Sequence, residues 1–332
     1  MLLDPIQARA QFADALARGY AILAINADSP AAVTDCLEAA RQASAPIIIE
    51  TSLWQLTGHS FGVGDAVRGL VRYLVQLSAL ANADPYREVP VIFHTDHIKG
   101  PDTLRILQAA IRGVEANICG TIARVFASTI SLDSSEMTEE ENIAHIRALC
   151  ATGREAGVPV TLEMEAGVDA GVTDIAVADR LLTPVEQTHP GCLHLWAPGV
   201  GTQHGLSDKG YPFSPEAVAR HRERASAICG RPIGIALHGS SGLPESALRE
   251  GVAAGVAKVN WSSESLLIRS NAAREFYATH SAELETSHPR WKATAMDNGV
   301  QSYISARYIP RVIERIRILG GEGKCGSDAR PS

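Results

Sequence analysis

The sequence predicts a single (β/α)8 (TIM) barrel with a C-terminal helical extension. Eight short apolar runs alternate with longer amphipathic stretches, which is the order of an α/β chain. The runs show little in-and-out alternation, as parallel strands covered on both faces do. A doubly wound open sheet is the alternative. The 332 residues would by length alone make about two domains, but no Gly/Pro/Ser-rich stretch is long enough to be a linker. The barrel is therefore assigned to residues 1–320 and a flexible tail to residues 321–332.

The elements follow in order. AILAIN (21–26) is the first run, and Ser29-Pro30 behind it supplies a cap and a first-turn proline for a helix to about Gln42. PIIIET (46–51) is the second. The long segment to Val89 carries its own helical pattern, DAVRGLVRYLVQLSAL. VPVIFH (89–94) is the third run and ARVFASTISLD (123–133) the fourth, reached through an insertion near ICGTIARVFAST. TEEENIAHIRALCATGREAG then offers a threonine cap, early glutamates, apolar spacing of three to four and a closing glycine. VPVTLEM (158–164), CLHLWAP (192–198), PIGIALH (232–238) and GVAKVNW (255–261) complete the eight, with Pro244 opening a helix after the seventh.

Hydrophobic residues make up 45% and charged residues 20% of the chain, enough apolar surface for one large core. Thirty basic against 37 acidic residues give a net charge of −7, with no dense Lys/Arg cluster, which argues against nucleic acid as a partner. Cys36, Cys119, Cys150, Cys192, Cys229 and Cys325 include no C-x-x-C pair and read as reduced thiols. No run of 18 apolar residues and no basic, apolar leader in MLLDPIQARAQF point to a membrane or to export, so a cytoplasmic protein is expected.

In a barrel of parallel strands the active site forms at the strands' C-terminal ends. There the third run closes on His94-Thr95-Asp96-His97 and the fifth passes through Glu163 and Glu165. The loop after the sixth holds Gly201-Thr202-Gln203-His204-Gly205, the seventh ends in His238-Gly239-Ser240-Ser241-Gly242, and the eighth in Asn260-Trp261-Ser262-Ser263. His97, His204 and His238 can converge on one metal, and three neutral imidazoles with a vacant fourth position describe a catalytic zinc site. Any one of them alone reads more simply as a hydrogen-bonded core histidine. Glycine directly after His204 and His238 lets backbone N–H groups approach a ligand, and a helix starting near Ser263 favours an anion, so a phosphate beside a metal is expected.

These motifs resemble the class II, metal-dependent fructose- or tagatose-bisphosphate aldolases over nearly the whole chain: HTDH (94–97), TLEMEAG (161–167), GTQHGL (201–206), ALHGSSGLP (236–244), GVAKVNWSSE (255–264) and HPRW (288–291). The resemblance implies that His97, His204 and His238 hold a catalytic Zn2+, for which cobalt or iron could substitute, with a monovalent cation as an optional companion. It makes Asp96 the acid/base for the aldol hydroxyl and puts Glu165 and Asp133 near the metal. Gly205, Gly239, Ser241 and Ser263 correspond to the groups on the donor phosphate. Asn260 corresponds to a substrate-orienting group, Ser52 to a small polar residue ending the second strand, and Arg290 to a distal-phosphate contact often supplied by a neighbouring subunit. A small phosphorylated sugar as substrate and a homodimer or homotetramer are implied in the same way. A sugar-phosphate isomerase or epimerase, or a silent sugar-phosphate-binding relative, are the alternatives.

The chain departs from the family pattern at one loop. Members write G-G-x-E-D there, and its glutamate handles the donor-carbon proton; this chain has AGVDAGVTD, with Val172-Thr173-Asp174 in register. Asp174 is the expected substitute, with Asp169 as the other loop carboxylate. Trp54 and Trp261 replace a small and an aliphatic residue, so an altered aldehyde acceptor is expected.

Overall fold

The computed structural model describes residues 1–118, 120–133, 137–206 and 212–325. Eight parallel strands close into a barrel in the order β1 (Ile22–Asn26), β2 (Ile47–Thr51), β3 (Val91–Thr95), β6 (Thr129–Leu132), β7 (Leu162–Ala166), β8 (Leu193–Pro198), β9 (Gly234–Leu237) and β10 (Val256–Asn260), which pairs back onto β1. A hairpin of β4 (Val114–Ile118) and β5 (Thr121–Val125) stands outside it. The helices are α1 (Pro5–Arg18), α2 (Pro30–Gln42), α3 (Leu53–Thr57), α4 (Ala66–Ala81), α5 (Thr103–Arg112), α6 (Glu139–Ala156), α7 (Ala176–Thr188), α8 (Pro215–Cys229), α9 (Glu245–Ala254), α10 (Ser263–Thr279), α11 (Trp291–Ala295) and α12 (Asp297–Ile318). Among the described residues no helix is long and apolar enough to cross a membrane.

The predicted caps form. Ser29 accepts from the Ala32 N–H ahead of α2, and Thr138 makes a reciprocal capping box with Glu141 at the start of α6. The fourth run differs from expectation. Residues 123–133 are not one strand: Ala123–Val125 pair antiparallel with Val114–Ala116, and the chain turns before β6 enters the barrel. The reason is local, because β4 and β5 satisfy each other's backbone groups as an exposed ribbon.

Two apolar layers hold the molecule. The larger fills the space between the strands and the outer helices. The smaller lies inside the barrel, where Ile22, Ala24, Ile48, Ile92, Leu195, Ala236 and Ala257 meet Leu3, Ala8, Phe12 and Ala15. Helix α1 thus plugs the N-terminal end. Polar bonds at the strand starts pin it: Thr161 Oγ1 donates to the Pro5 carbonyl (3.0 Å), Ser128 Oγ to the Leu3 carbonyl (2.6 Å), and Arg9 Nη2 to the Val160 carbonyl (2.5 Å). Burying a side chain of Phe12's size contributes about 1.5–3 kcal/mol.

Helix α12, the expected C-terminal extension, packs on α2 and α10. The segment after it is held more firmly than a flexible tail from residue 321 implies. Gly323 N–H donates to the Ala43 carbonyl (2.9 Å) and Cys325 N–H to the Ser44 carbonyl (2.8 Å). Residues 326–332 lie outside the described part of the chain.

Candidate active site and metal centre

Above the apolar plug the barrel interior turns polar. Lys258 Nζ lies 3.3 Å from Glu50 Oε2 and 2.9 Å from Glu163 Oε2, all three side chains being fully buried. Burial works against the ammonium, yet Glu163, Glu50 and Asp96 together hold Lys258 above the usual lysine range. Burial, with Asp96 as neighbour, pushes Glu50 well above the usual carboxylate range. His94 is fully buried with Nδ1 2.7 Å from Thr129 Oγ1.

Asp96 stands one layer higher. Asn26 Nδ2 donates to its Oδ2 (3.0 Å) and Asn260 Nδ2 to its Oδ1 (2.9 Å). Burial favours the neutral acid, but His97 and Lys258 outweigh it and keep Asp96 below the ordinary range. Among the described residues, Asn26 Oδ1 and Asn260 Oδ1 are buried acceptors that find no donor, and such groups call for a polar ligand.

The three histidines converge. His97 Nε2 lies 3.0 Å from His204 Nε2 and 3.1 Å from His238 Nδ1, and Asp96 Oδ1 is 3.8 Å from the same His97 nitrogen. In an extended strand Asp96 and His97 would point to opposite faces. His97 has φ of 49°, in the left-handed region, and this turn brings both neighbours to one centre.

Each imidazole rests its outer nitrogen on carboxylate. His97 Nδ1 is 3.2 Å from Glu165 Oε2 and 3.3 Å from Asp133 Oδ2, His204 Nδ1 is 2.8 Å from both Asp169 oxygens, and His238 Nε2 is 2.9 Å from Glu163 Oε1. Such partners fix the tautomer so that the inner nitrogen presents a lone pair. Burial pushes His238 well below its usual range, which favours its neutral form. Asp96, Asp133, Glu163, Glu165 and Asp169 lie around the three imidazoles, while Lys258 pairs with Glu50 and Glu163 below them, so the imidazole centre favours a further positive charge. This donor set fits a divalent metal held by His97, His204 and His238.

Several expected site residues take other places. Glu165 and Asp133 lie behind His97, on Nδ1 and not on the side facing the other imidazoles. Asp174 is exposed, accepts from the Ala176 N–H (2.9 Å) at the start of α7, and lines a separate depression with Arg220 and His221. Thr173 Oγ1 fixes that geometry by donating to the Ala166 carbonyl (3.0 Å) and accepting from the Gly199 N–H (2.8 Å). The loop carboxylate that reaches the histidines is Asp169. Arg290 is exposed and pairs with Glu283 (3.4 Å), outside the central cavity. Ser52 caps α3 through Gln55.

The phosphate candidates sit on the other side of the mouth. Ser241 Oγ accepts from the Glu264 N–H (3.2 Å) at the start of α10, whose first residue is Ser263. Gly239 has φ of 64°, and a Cβ there would stand 2.6 Å from the Gln203 carbonyl oxygen, so only glycine lets the two loops touch. Gly205, with φ of 95°, lies in the loop just beyond His204. Asn26, Glu50 and Lys258 were not singled out from sequence. Their signal was a polar or charged residue inside an otherwise apolar strand.

A cavity of about 740 Å³ opens beside His97, His204 and Asp169, walled by Trp54, Met137, Val168, Val177 and Leu181. Fold and site together define a (β/α)8-barrel enzyme whose strand ends build a three-imidazole centre backed by carboxylates.

The family model for class II fructose-bisphosphate aldolase matches residues 6–324, and the chain belongs to that family: it is a carbon–carbon lyase of the aldolase type. A fructose-bisphosphate aldolase of Streptococcus pneumoniae is 27% identical over 314 residues, covering 92% of this chain and 94% of the relative. One from Streptococcus pyogenes is 29% identical over 269 residues, 80% of each chain. The crystal structure of fructose-bisphosphate aldolase from Campylobacter jejuni superposes with a TM-score of 0.79 at 22% identity, over 97% of both chains.

Proposed function

We propose that this chain catalyses zinc-dependent, reversible aldol cleavage of a phosphorylated ketose to a dihydroxyacetone-phosphate-like donor and an aldehyde. The observation that carries the reading is the convergence of three carboxylate-backed imidazoles, with the central one, His97, 3.8 Å from a buried, doubly hydrogen-bonded Asp96. His97, His204 and His238 would hold the ion, which when bound supplies Lewis-acid stabilisation of charge on the substrate's oxygens.

The remaining chemistry belongs to the chain. Asp96, kept ionised and fixed by two amides, takes the hydroxyl proton as the carbon–carbon bond breaks, a contribution of roughly 10² to 10⁴ in rate. Asn26 Oδ1 and Asn260 Oδ1 accept from substrate hydroxyls and so orient the donor. Backbone N–H groups at Gly205 and Gly239, with Ser241 and Ser263 at the start of α10, receive the donor phosphate. Glu165, Asp133, Asp169 and Glu163 are positioning residues for the imidazoles.

The acceptor end differs in character. Among the described residues lining the cavity, Lys99 is the one lysine or arginine, against the carboxylates Asp133, Glu139 and Asp169, and much of the remaining wall is apolar. An aldehyde without a second phosphate suits that wall. The test is to mix zinc-loaded protein with dihydroxyacetone phosphate and a panel of phosphorylated and unphosphorylated aldehydes, and to seek ketose products by mass. Products with unphosphorylated aldehydes are expected. No product with any aldehyde refutes the activity, and products with phosphorylated aldehydes alone refute the acceptor assignment.

A further inference from the structure

Helix α12 reaches the mouth of the barrel through one buried arginine. Arg315 Nη2 donates to Glu264 Oε2 (2.5 Å), and the indole Nε1 of Trp261 donates to the same oxygen (2.8 Å). Glu264 is the second residue of α10, and its backbone N–H donates to Ser241 Oγ (3.2 Å). The Arg315 side chain is 8% exposed and that of Glu264 27%, so water screens this pair less than a surface ion pair. Trp261, expected to alter the aldehyde end, does not line the cavity beside the histidines. It is buried, its ring parallel to that of Tyr308 at 6.3 Å and the Arg315 guanidinium 5.1 Å from its centre. Tyr308, also on α12, shares a hydrogen bond with Ser265 Oγ (2.5 Å). Helix α12 therefore grips the first turn of α10 at two consecutive residues, Glu264 and Ser265.

That turn carries an electrostatic conflict. A helix N-terminus attracts an anion through its free N–H groups, and the donor phosphate is assigned there, beside Ser241 and Ser263. A carboxylate in the same turn repels it. We propose that Arg315 is a positioning residue for the donor phosphate: it draws the Glu264 carboxylate toward α12 and neutralises it, so that the start of α10 stays attractive to a dianion. This role rests on the reading of Gly205, Gly239, Ser241 and Ser263 as the phosphate pocket. Arg315 itself touches no substrate. It acts through Glu264, whose N–H fixes Ser241 and whose charge would otherwise oppose the ligand.

The test uses the full-length, zinc-loaded protein and titration calorimetry with inorganic phosphate and with dihydroxyacetone phosphate at one ionic strength. Arg315→Met should weaken both by about 5- to 30-fold, the worth of one charge at a partly buried helix terminus, with zinc content unchanged. In ketose synthesis at fixed aldehyde, KM for the donor should rise more than kcat falls. Arg315→Lys keeps the charge and should recover most of the affinity. Arg315→Met with Glu264→Gln removes the repelling charge together with its partner and should restore most of the binding, even where the melting midpoint stays below the parent's. A purely structural Arg315 would leave that double variant no better than the single. Ser263→Ala marks the pocket itself. If it weakens phosphate binding while Arg315→Met does not, or if the double variant binds no more tightly than Arg315→Met, the role of Arg315 is overturned. If the parent binds neither probe, or Ser263→Ala binds them as the parent does, the phosphate pocket is overturned and the role of Arg315 with it.

Discussion

Replacing Lys258 with methionine keeps the apolar stem and removes the ammonium that stands 3.3 Å from Glu50 and 2.9 Å from Glu163. Glu163 and Glu50 then lose the buried ammonium that they share. Removing one partner of a buried ion pair costs roughly 3–5 kcal/mol, because the other charge is left uncompensated. At about 2.1 cal/mol/K per residue, 332 residues unfold with an entropy near ~0.7 kcal/mol/K. The melting midpoint should therefore fall by roughly 4–7 °C. Calorimetry at one scan rate on chelator-treated and zinc-loaded protein measures it, and both forms should shift. The pair Lys258→Met with Glu163→Gln removes both charges and should recover at least about half of the loss. A single variant that melts within ~1 °C of the parent, or a double variant whose loss is the sum of the two singles, would refute the reasoning.

Other outcomes follow from the same geometry. Asp96→Ala should retain stoichiometric zinc, measured by elemental analysis, while kcat for ketose cleavage falls by about 10² or more; an unchanged kcat would make Asp96 a positioning residue. Asp169→Asn should weaken zinc binding by about 10- to 100-fold in a competition titration with a chromophoric chelator, whereas Asp174→Asn should leave it unchanged. Gly239→Ala should raise KM for the donor more than it lowers kcat, since the added methyl pushes the Gln203 backbone away from the phosphate candidates; steady-state kinetics at fixed aldehyde will show which constant moves.

The barrel was legible because its eight strands are buried on both faces and so read as apolar runs. The histidines were legible because a strand that closes on a polar residue has to send it somewhere. The hairpin was not: Thr121, Ile122 and Val125 suit an exposed ribbon as well as a barrel strand. The choice between Asp169 and Asp174 was also hidden, since Thr173 sets it by bonding to Ala166 at the end of β7 and to Gly199 directly after β8. Lys258 was visible as a charge in an apolar strand, but its partners Glu50 and Glu163 come from β2 and β7. Arg290 rested on its motif alone, and its partner in this fold is Glu283.

The left-handed turn at His97 has a mechanical consequence. His204 and His238 reach the centre from separate loops, so thermal breathing of the barrel can vary their spacing. Asp96 and His97 are joined by one peptide unit and cannot drift apart. The proposed proton acceptor and one proposed metal-binding imidazole therefore ride on the same short piece of backbone, their Cα atoms held one peptide unit apart while the rest of the constellation fluctuates around them. A non-glycine left-handed residue costs of order 1–3 kcal/mol, and at His97 it turns two neighbouring side chains toward one centre.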